Sequence, residues 1–191
     1  MKPKKLIRYF FNRPTLVVAK ELLGKYLVRR LGNGKVLAGK IIETEAYIGP
    51  ADKASHAFGG KRTARNQAEW LTGGHVYIYL VYGRYWQLNF STAGAGRPEC
   101  VLIRALEAPA GRPENTANGP GKLCRFLKLD KSFYGADATK SRRLWLEDRG
   151  VEVRPNQIKA TARIGIDYAG PYWAGRKWRF VLKNSRAKIK L

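Results

Sequence analysis

Apolar and polar positions along the chain follow two periods, one typical of strands and one of short helices. Alternating or continuous apolar patterns predict strands over residues 25–31, 35–47, 76–82, 85–90, 100–107 and Arg179–Leu182. Helical spacing predicts helices over residues 16–23, with Thr15 as the cap, over the segment from Thr63 to Leu71, and after Asn118-Gly-Pro-Gly. Gly32-Asn33-Gly34 predicts a hairpin turn between the first two strands.

These elements predict the class of fold. Strands outnumber helices, and they do not alternate with helices as βαβ units. We therefore expect an α+β fold, with residues 1–191 forming a single compact domain. Its centre is a curved, mainly antiparallel β-sheet with short helices around it and a protruding β-hairpin.

The net charge of the chain indicates which class of partner it binds. The chain has 37 Lys and Arg against 14 Asp and Glu, a formal net charge of +23, and 45% of its residues are hydrophobic. The hydrophobic content excludes a disordered basic tail. An excess of positive charge this large repels itself in the folded state, and a polyanionic partner relieves that repulsion. Nucleic acid is the first candidate.

The sequence also bears on location and cofactors. No apolar run approaches the roughly 18 residues of a membrane span, and the basic start of the chain lacks a cleavage site. We expect a cytoplasmic protein with no membrane partner, associated with the nucleoid in a prokaryote or nuclear in a eukaryote. Cys100, Cys124, His56 and His75 have neither disulfide-framework nor zinc spacing. No metal and no cofactor are expected.

Two acids and one arginine are candidates for chemistry. Glu43, Glu45 and Tyr47 alternate on one predicted strand, so their side chains share a face. Arg104 interrupts an aliphatic strand, and a buried arginine requires a carboxylate partner such as Glu43 or Glu45. From these residues alone, a structural ion pair and a site that orients water for attack are about equally supported.

A tyrosine and several basic residues are candidates for contact with a duplex. Tyr82-Gly83-Arg84 forms the turn of an aromatic hairpin, where Tyr82 either enters a duplex as a wedge or folds back over its own hairpin. The amides of Gly119, Gly121 and Lys122 are placed to hold a phosphate at a helix start. Basic residues group nearby or toward the end of the chain: Lys61, Arg62 and Arg65; Lys122, Arg125 and Lys128; Arg176–Arg179; Lys183, Arg186, Lys188 and Lys190.

Several short motifs occur in order from about Leu16 to Lys183, and together they resemble the alkyladenine (3-methyladenine) DNA glycosylase family. The matching runs are Glu43-Thr-Glu-Ala-Tyr-Ile-Gly-Pro50, Ser55-His56, Gly59-Gly60, Arg62-Thr63, Arg65-Asn66, Val76-Tyr-Ile-Tyr-Leu-Val-Tyr-Gly83, Asn89, Val101-Leu-Ile-Arg-Ala-Leu-Glu107, Asn118-Gly-Pro-Gly-Lys-Leu-Cys124 and Arg163-Ile-Gly-Ile166. The pattern departs from the family's at Ala64, at 67–70, at Arg84 and at Trp86-Gln87.

The resemblance implies a monomeric, metal-independent enzyme that acts on double-stranded DNA containing damaged purines. Glu45 matches the general base, and Arg104 and the main-chain carbonyl of Ile166 match the groups that hold its water. The base-pocket positions are Tyr47, His56, Tyr79 and Asn89.

Tyr82 matches the intercalating tyrosine, and Arg62, Arg65, Gly119, Gly121 and Lys122 are expected to contact the DNA backbone. Without the resemblance, an RNA-binding or ribosome-associated protein would also explain the charge and the aromatic residues. It would leave Glu43, Glu45 and Arg104 without a role.

Overall fold

The fold is a sheet of antiparallel strands that curls into a half-barrel. The computed structural model describes residues 2–107, 109–183 and 185. Its strands are β1 (Lys4–Lys5), β2 (Tyr26–Arg30), β3 (Val36–Ile48), β4 (Val76–Val81), β5 (Tyr85–Ser91), β6 (Glu99–Glu107), β7 (Leu144–Asp148), β8 (Ile158–Thr161) and β9 (Arg179–Leu182). The main order is β1-β7-β2-β3-β6-β5-β4, and β9 pairs with both β3 and β8.

Helices in the described residues are short. The α-helices are α1 (Arg8–Phe11), α2 (Thr15–Glu21), α3 (Pro120–Phe126) and α4 (Pro171–Ala174). Single 3-10 turns occur at Phe58–Gly60, Gln67–Trp70, Glu114–Thr116, Lys131–Phe133, Pro155–Gln157 and Asp167–Ala169. None of the helices described is long and apolar enough to cross a lipid bilayer.

The core lies between the sheet and helices α2 and α3. Val18 of α2 and Leu123 of α3 are fully buried, and they belong to one apolar cluster with Ile41 of β3 and Ile103 of β6. Burying these aliphatic side chains is the main stabilising contribution to the fold. Because the helices cover one face of the sheet, the other face is available for a site.

The structure confirms the predicted α+β class, with its curved antiparallel sheet and protruding hairpin.

The segment from Thr63 to Leu71 is not the helix that its pattern predicts. Only Gln67–Trp70 forms a 3-10 turn. Asn66 bends the preceding chain, because its Oδ1 accepts the Thr63 N–H at 2.7 Å and its Nδ2 donates to the carbonyls of His56 and Lys61. A side chain that replaces backbone partners in this way closes a loop instead of starting a helix.

The start of α2 also differs from the prediction. Pro14 occupies the cap position, and Thr15 is the first helical residue. The Thr15 hydroxyl contacts Thr92 and Glu99 across the core rather than capping its own helix. Of the predicted basic residues near the end of the chain, Arg186, Lys188 and Lys190 lie outside the described residues.

Candidate active site

A row of side chains, three polar and one apolar, crosses four strands on the open face of the sheet. Tyr77 of β4 is opposite Asn89 of β5, Asn89 is opposite Leu102 of β6, and Leu102 is opposite Glu45 of β3. Directly opposite residues in antiparallel strands point to the same face. Strand register therefore brings four residues that are widely separated in the sequence onto one surface.

Register shifts between β3 and β6 bring Arg104 to the two acids. Glu43 of β3 is opposite Ala105 of β6, but the next residue, Thr44, is opposite Ile103. Arg104 is therefore skipped and has no residue opposite it. Bulges of this kind redirect side chains and are common beside active sites. Nε of Arg104 donates to Glu43 at 3.0 Å, and its Nη1 lies 3.4 Å from Oε1 of Glu45. The expected pairing is thus present with both acids.

Glu45 is completely buried and hydrogen-bonded at both carboxylate oxygens. Oε2 accepts the Tyr47 hydroxyl at 2.8 Å, and Oε1 accepts the backbone N–H of Ile164 at 2.9 Å. Burial raises the pKa of Glu45 above its ordinary value, while Arg104, the Ile164 amide and the Tyr47 hydroxyl act in the opposite direction. The result is a desolvated acid in a fixed orientation. Ile164 was not predicted to contact it, because a backbone donor leaves no residue-type signal.

Glu43 has a different environment from Glu45. Its Oε1 accepts hydrogen bonds from Arg104 and from Arg179 of β9. A buried carboxylate between two guanidinium groups is held in one place and compensates their charge. The geometry therefore assigns Glu43 to support of Arg104, and the Arg179 contact was not foreseen from the sequence.

An aromatic cavity of about 490 Å³ opens beside Glu45. The carboxylate lies behind its wall, and the groups that bond to it, Tyr47, Arg104 and Ile164, all line the cavity. Cavities of this size with apolar walls and a few polar groups are typical of small-molecule sites. A flat ring bound there would lie next to the shielded acid.

The predicted base-pocket residues Tyr47, His56, Tyr79 and Asn89 come together at this cavity. Arg104 and Ile166, which were predicted as catalytic, line it too. The rings of His56 and Tyr79 are 4.7 Å apart between centroids, in an edge-to-face arrangement. The carbonyl of Ile166 accepts the Ala169 N–H at 2.9 Å, so the local turn fixes its direction. One lone pair of this oxygen stays available to a further donor.

His56 lies at the mouth of the cavity with a low pKa. Its Nδ1 is hydrogen-bonded to the Tyr77 hydroxyl. Desolvation by the surrounding protein atoms, assisted by the positive charge of Arg65, lowers the pKa of His56 to about 4. The ring is therefore neutral at physiological pH and offers a flat, uncharged face.

Two arginines near the cavity have separate positions. The guanidinium carbon of Arg65 is 5.2 Å from the centroid of the Tyr79 ring, and Arg65 lines the cavity. Arg62 is exposed and lies over Trp70 at 5.5 Å. Arg65 is thus part of the cavity wall, while Arg62 is exposed outside the lining of the cavity.

Tyr82 is at the tip of the β4–β5 hairpin and is 89% exposed. Val81 pairs with Tyr85 around the three intervening residues, and Tyr82 has a φ of 51°. A tyrosine in this left-handed conformation is uncommon and is held by the turn. Because the ring is exposed, it does not fold back over its own hairpin.

The start of α3 lies against the hairpin next to its turn, at Tyr85. A Cβ on Gly121 would come within 2.9 Å of the Tyr85 ring, so only glycine permits this close approach. Lys122 extends from α3, where its Nζ donates to Asn118, and lines a second cleft with Lys35, Arg112 and Arg125. Gly119, Gly121 and Lys122 are outside the lining of the aromatic cavity. Gly121 lines a further cleft with Arg84 of the hairpin and with Arg125 and Lys128.

A buried ion pair joins the two loops that form the cavity mouth. Both oxygens of Asp52 accept from the guanidinium of Arg163, and the side chains of both residues are fully buried. Arg163 also donates to the Ala46 carbonyl of β3 and stacks over the Tyr47 ring at 4.7 Å. The pair was not predicted from the sequence, since Asp52 and Arg163 are far apart in the chain.

Comparison with known proteins identifies the kind of protein that carries this site. The sequence profile of the methylpurine-DNA glycosylase (MPG) family matches residues 9–186. The chain belongs to the methylpurine-DNA glycosylase family.

Named relatives of this family cover most of the chain. A DNA-3-methyladenine glycosylase of Mus musculus is 40% identical over 92% of this chain and 58% of its own length. The protein of the same name from Homo sapiens is 38% identical over 92% of this chain and 65% of its own length. A putative 3-methyladenine DNA glycosylase of Methanocella arvoryzae is 48% identical over 94% of this chain and 93% of its own.

Membership in the methylpurine-DNA glycosylase family confirms the resemblance inferred from the ordered motifs. The chain spans less than two thirds of the mouse and human relatives. In the part of the chain that the structure describes, no three His, Cys, Asp or Glu side chains are grouped so as to hold a metal ion.

Proposed function

We propose that this protein is a base-excision-repair DNA glycosylase: it extrudes alkylated or deaminated purines from duplex DNA and hydrolyses their N-glycosidic bonds. The observation that carries the proposal is the buried, fixed Glu45 carboxylate behind an aromatic cavity. A protein that only binds nucleic acid has no need for a desolvated acid at that position. The names of the relatives support the same activity.

Extrusion exposes the bond to be cut. Turning a nucleotide out of the stack costs a few kcal/mol, and the exposed ring of Tyr82 offsets part of that cost by filling the space in the duplex. The basic surface at Arg62, Gly119, Gly121 and Lys122 binds the DNA backbone, and the net charge of +23 supports that role. Arg65 serves both this surface and the cavity wall.

The extruded purine stacks between Tyr47, His56 and Tyr79. Stacking of a base on an aromatic side chain contributes about 1–3 kcal/mol. A purine methylated at N3 or N7 is positively charged, so the electron-rich tyrosine faces favour it further. Asn89 lies at the inner end, where its Nδ2 donates to the Tyr77 carbonyl at 3.1 Å and fixes the amide. In this role the amide discriminates against unmodified guanine.

Glu45 acts on one water molecule held between the carboxylate, Arg104 and the carbonyl of Ile166. The carboxylate takes a proton from the water, the water oxygen forms a bond to C1′, and the bond between C1′ and the purine nitrogen breaks with its electron pair leaving on the base. The negative charge of the acid also stabilises the oxocarbenium-like sugar. A cationic purine departs as a neutral molecule and is a good leaving group, so its release requires no further acid.

The reaction proposed is simple hydrolysis by a monomer, without a lyase step or a metal. Among the described residues that line the cavity there is no lysine whose amine could attack the sugar. Borohydride trapping is therefore expected to give no covalent adduct with DNA, and activity is expected to survive EDTA. Residues 1–191 are proposed to form one glycosylase domain.

The decisive experiment incubates the protein with methylated DNA and with inosine-containing duplex, and identifies the free bases released. Glu45→Gln is expected to reduce release by about 10²–10⁴-fold while binding to lesion DNA persists. Glu147→Gln is the matched control, because Glu147 of β7 is also buried but is bonded to Trp145 and Arg149, outside the cavity. Release by Glu45→Gln at the wild-type rate would overturn the assignment of the base.

A further inference from the structure

One acid of the cavity has no part in the proposed reaction. Glu69 lies in the 3-10 turn Gln67–Trp70, is 2% exposed and lines the same cavity as Asn89. Its Oε2 has no hydrogen-bond partner among the described residues. Buried polar atoms are almost always paired, so an unpaired oxygen in a cavity wall points to a ligand that pairs with it.

The surroundings of Glu69 connect it to the inner end of the cavity. Its Oε1 accepts the Cys100 thiol at 3.4 Å, and the same sulfur lies 3.8 Å from Oδ1 of Asn89. Cys100 therefore bridges Glu69 and the amide that faces the base. The two polar groups form one continuous polar end of the cavity.

Only burial and Cys100 shift the pKa of Glu69, although His56, Arg65 and Arg104 line the same cavity. Tyr77 and Tyr79 approach it from β4 and Cys100 from β6, while β5 contributes the neutral Asn89. No ion pair joins Glu69 to a lysine or arginine in the described part of the chain. Burial raises the pKa of Glu69 to about 8, opposed only by the hydrogen bond from Cys100. In the empty cavity the acid is therefore protonated at neutral pH.

On the basis of the proposed function, we propose that Glu69 is a specificity residue that contacts the edge of the extruded purine. It gives the cavity a pH-dependent preference for positively charged, alkylated bases over neutral ones. The unpaired Oε2, the placement in the cavity wall and the link through Cys100 to Asn89 carry this inference.

The sign of the pH dependence follows from charge. A cationic base next to Glu69 favours the carboxylate, so binding lowers the pKa of this acid and releases its proton to solvent. A neutral purine gives no such stabilisation, and the acid keeps its proton as a hydrogen-bond donor. The preference for cationic bases therefore increases as pH rises toward about 8 and levels off above it.

The test measures single-turnover release of 7-methylguanine and of hypoxanthine between about pH 6 and about pH 9.5. Both rates depend in the same way on the ionisation of Glu45, so that dependence cancels in their ratio. In the wild type the ratio is expected to rise by about tenfold, equivalent to one unit of pKa change in the occupied cavity. Glu69→Gln is expected to flatten this rise. Ionisation of the lesion itself affects the ratio equally in the wild type and in the variant, so it does not contribute to the difference between them.

Two further variants separate recognition from folding. Glu69→Asp retains an ionisable acid and is expected to restore part of the rise. Glu99→Gln is the matched control, since Glu99 is buried beside Cys100 in sequence but bonds to Thr15 and Arg97 outside the cavity. Its ratio is expected to follow that of the wild type. Melting curves for each variant establish that it is folded.

Each result bears on one claim. A wild-type ratio that stays flat with pH overturns the inference regardless of how the variants fold. The same rise in Glu69→Gln as in the wild type also overturns it, because the slope then comes from the lesion. A wild-type protein that releases neither base contradicts the proposed function itself, and the role of Glu69 fails with it.

Discussion

The hydroxyl of Tyr47 donates to Oε2 of Glu45 across 2.8 Å. The two residues are alternate positions of β3 and share the face of the sheet that carries the cavity. Tyr47 is the proposed stacking surface for the purine, and Glu45 is the proposed general base. A single hydrogen bond therefore links purine binding to the basicity of Glu45.

Tyr47→Phe tests this link because it removes the hydrogen bond and keeps the ring. The Tyr47 hydroxyl lowers the pKa of Glu45, so its loss raises that pKa further. The acidic limb of the pH–rate profile is therefore expected to move to higher pH, since the base must be ionised to act. At neutral pH, release is expected to slow by about threefold to tenfold, the usual effect of one hydrogen bond. An acidic limb that stays in place would show that Tyr47 does not influence the acid.

Asp52→Asn tests the ion pair that joins the loops of the cavity mouth. The substitution leaves the buried guanidinium of Arg163 without its counter-charge and is expected to reduce the free energy of unfolding by about 3–5 kcal/mol. Chemical denaturation measures the change. Arg13→Met is the control, because its pair with Glu21 is more exposed and is expected to contribute less than about 1 kcal/mol. Equal losses in the two variants would contradict a special role for the buried pair.

Tyr82→Ala tests the proposed wedge at the hairpin tip. Because the ring is 89% exposed, its removal is expected to leave the melting temperature unchanged. Base release from duplex is expected to fall by about tenfold or more, since the duplex must be opened at a cost of a few kcal/mol. Release from single strands is expected to change little. The control is Tyr9→Ala, which removes another exposed tyrosine, and equal effects of Tyr82→Ala on both substrates would exclude a wedge.

Salt dependence tests the basic surface. Affinity for DNA is expected to fall linearly on logarithmic axes, with a slope of about −0.9 for each phosphate contacted. Arg62→Ala and Lys122→Ala are each expected to reduce the magnitude of the slope by about one. Lys4→Ala, on the distant edge strand β1, is expected to leave it unchanged. A flat salt dependence in the wild type would contradict phosphate binding by this surface.

Much of the framework could be predicted because local pattern decides it. The long strand that carries Glu45 and the strand that carries Arg104 were apparent from their apolar residues, and a buried arginine among aliphatic residues required an acid. The short strands β1, β7 and β8 gave no comparable signal. Two to five residues of mixed polarity acquire a strand conformation only from their neighbours in the sheet.

Long-range relationships account for the parts of the site that were missed. The register shift that leaves Arg104 without an opposite residue depends on how two strands meet, and neither strand specifies it alone. The same is true of the Ile164 amide on Glu45 and of the Arg163–Asp52 pair. In the sequence, Glu69 is one acid in a mostly polar segment. Only its burial in the fold reveals its unpaired oxygen.

The row that runs from Tyr77 through Asn89 and Leu102 to Glu45 links the proposed recognition and the proposed chemistry to the hydrogen-bond ladder of the sheet itself. Loops at the rim can therefore exchange residues, and with them the choice of lesion, without moving the acid relative to the inner end of the pocket. Conversely, partial melting of β4 and β5 removes Tyr79 and Asn89 from the proposed binding surface, while Glu45 and Arg104 stay together on the paired strands β3 and β6. Such a scaffold diversifies at its margins while its reaction stays constant.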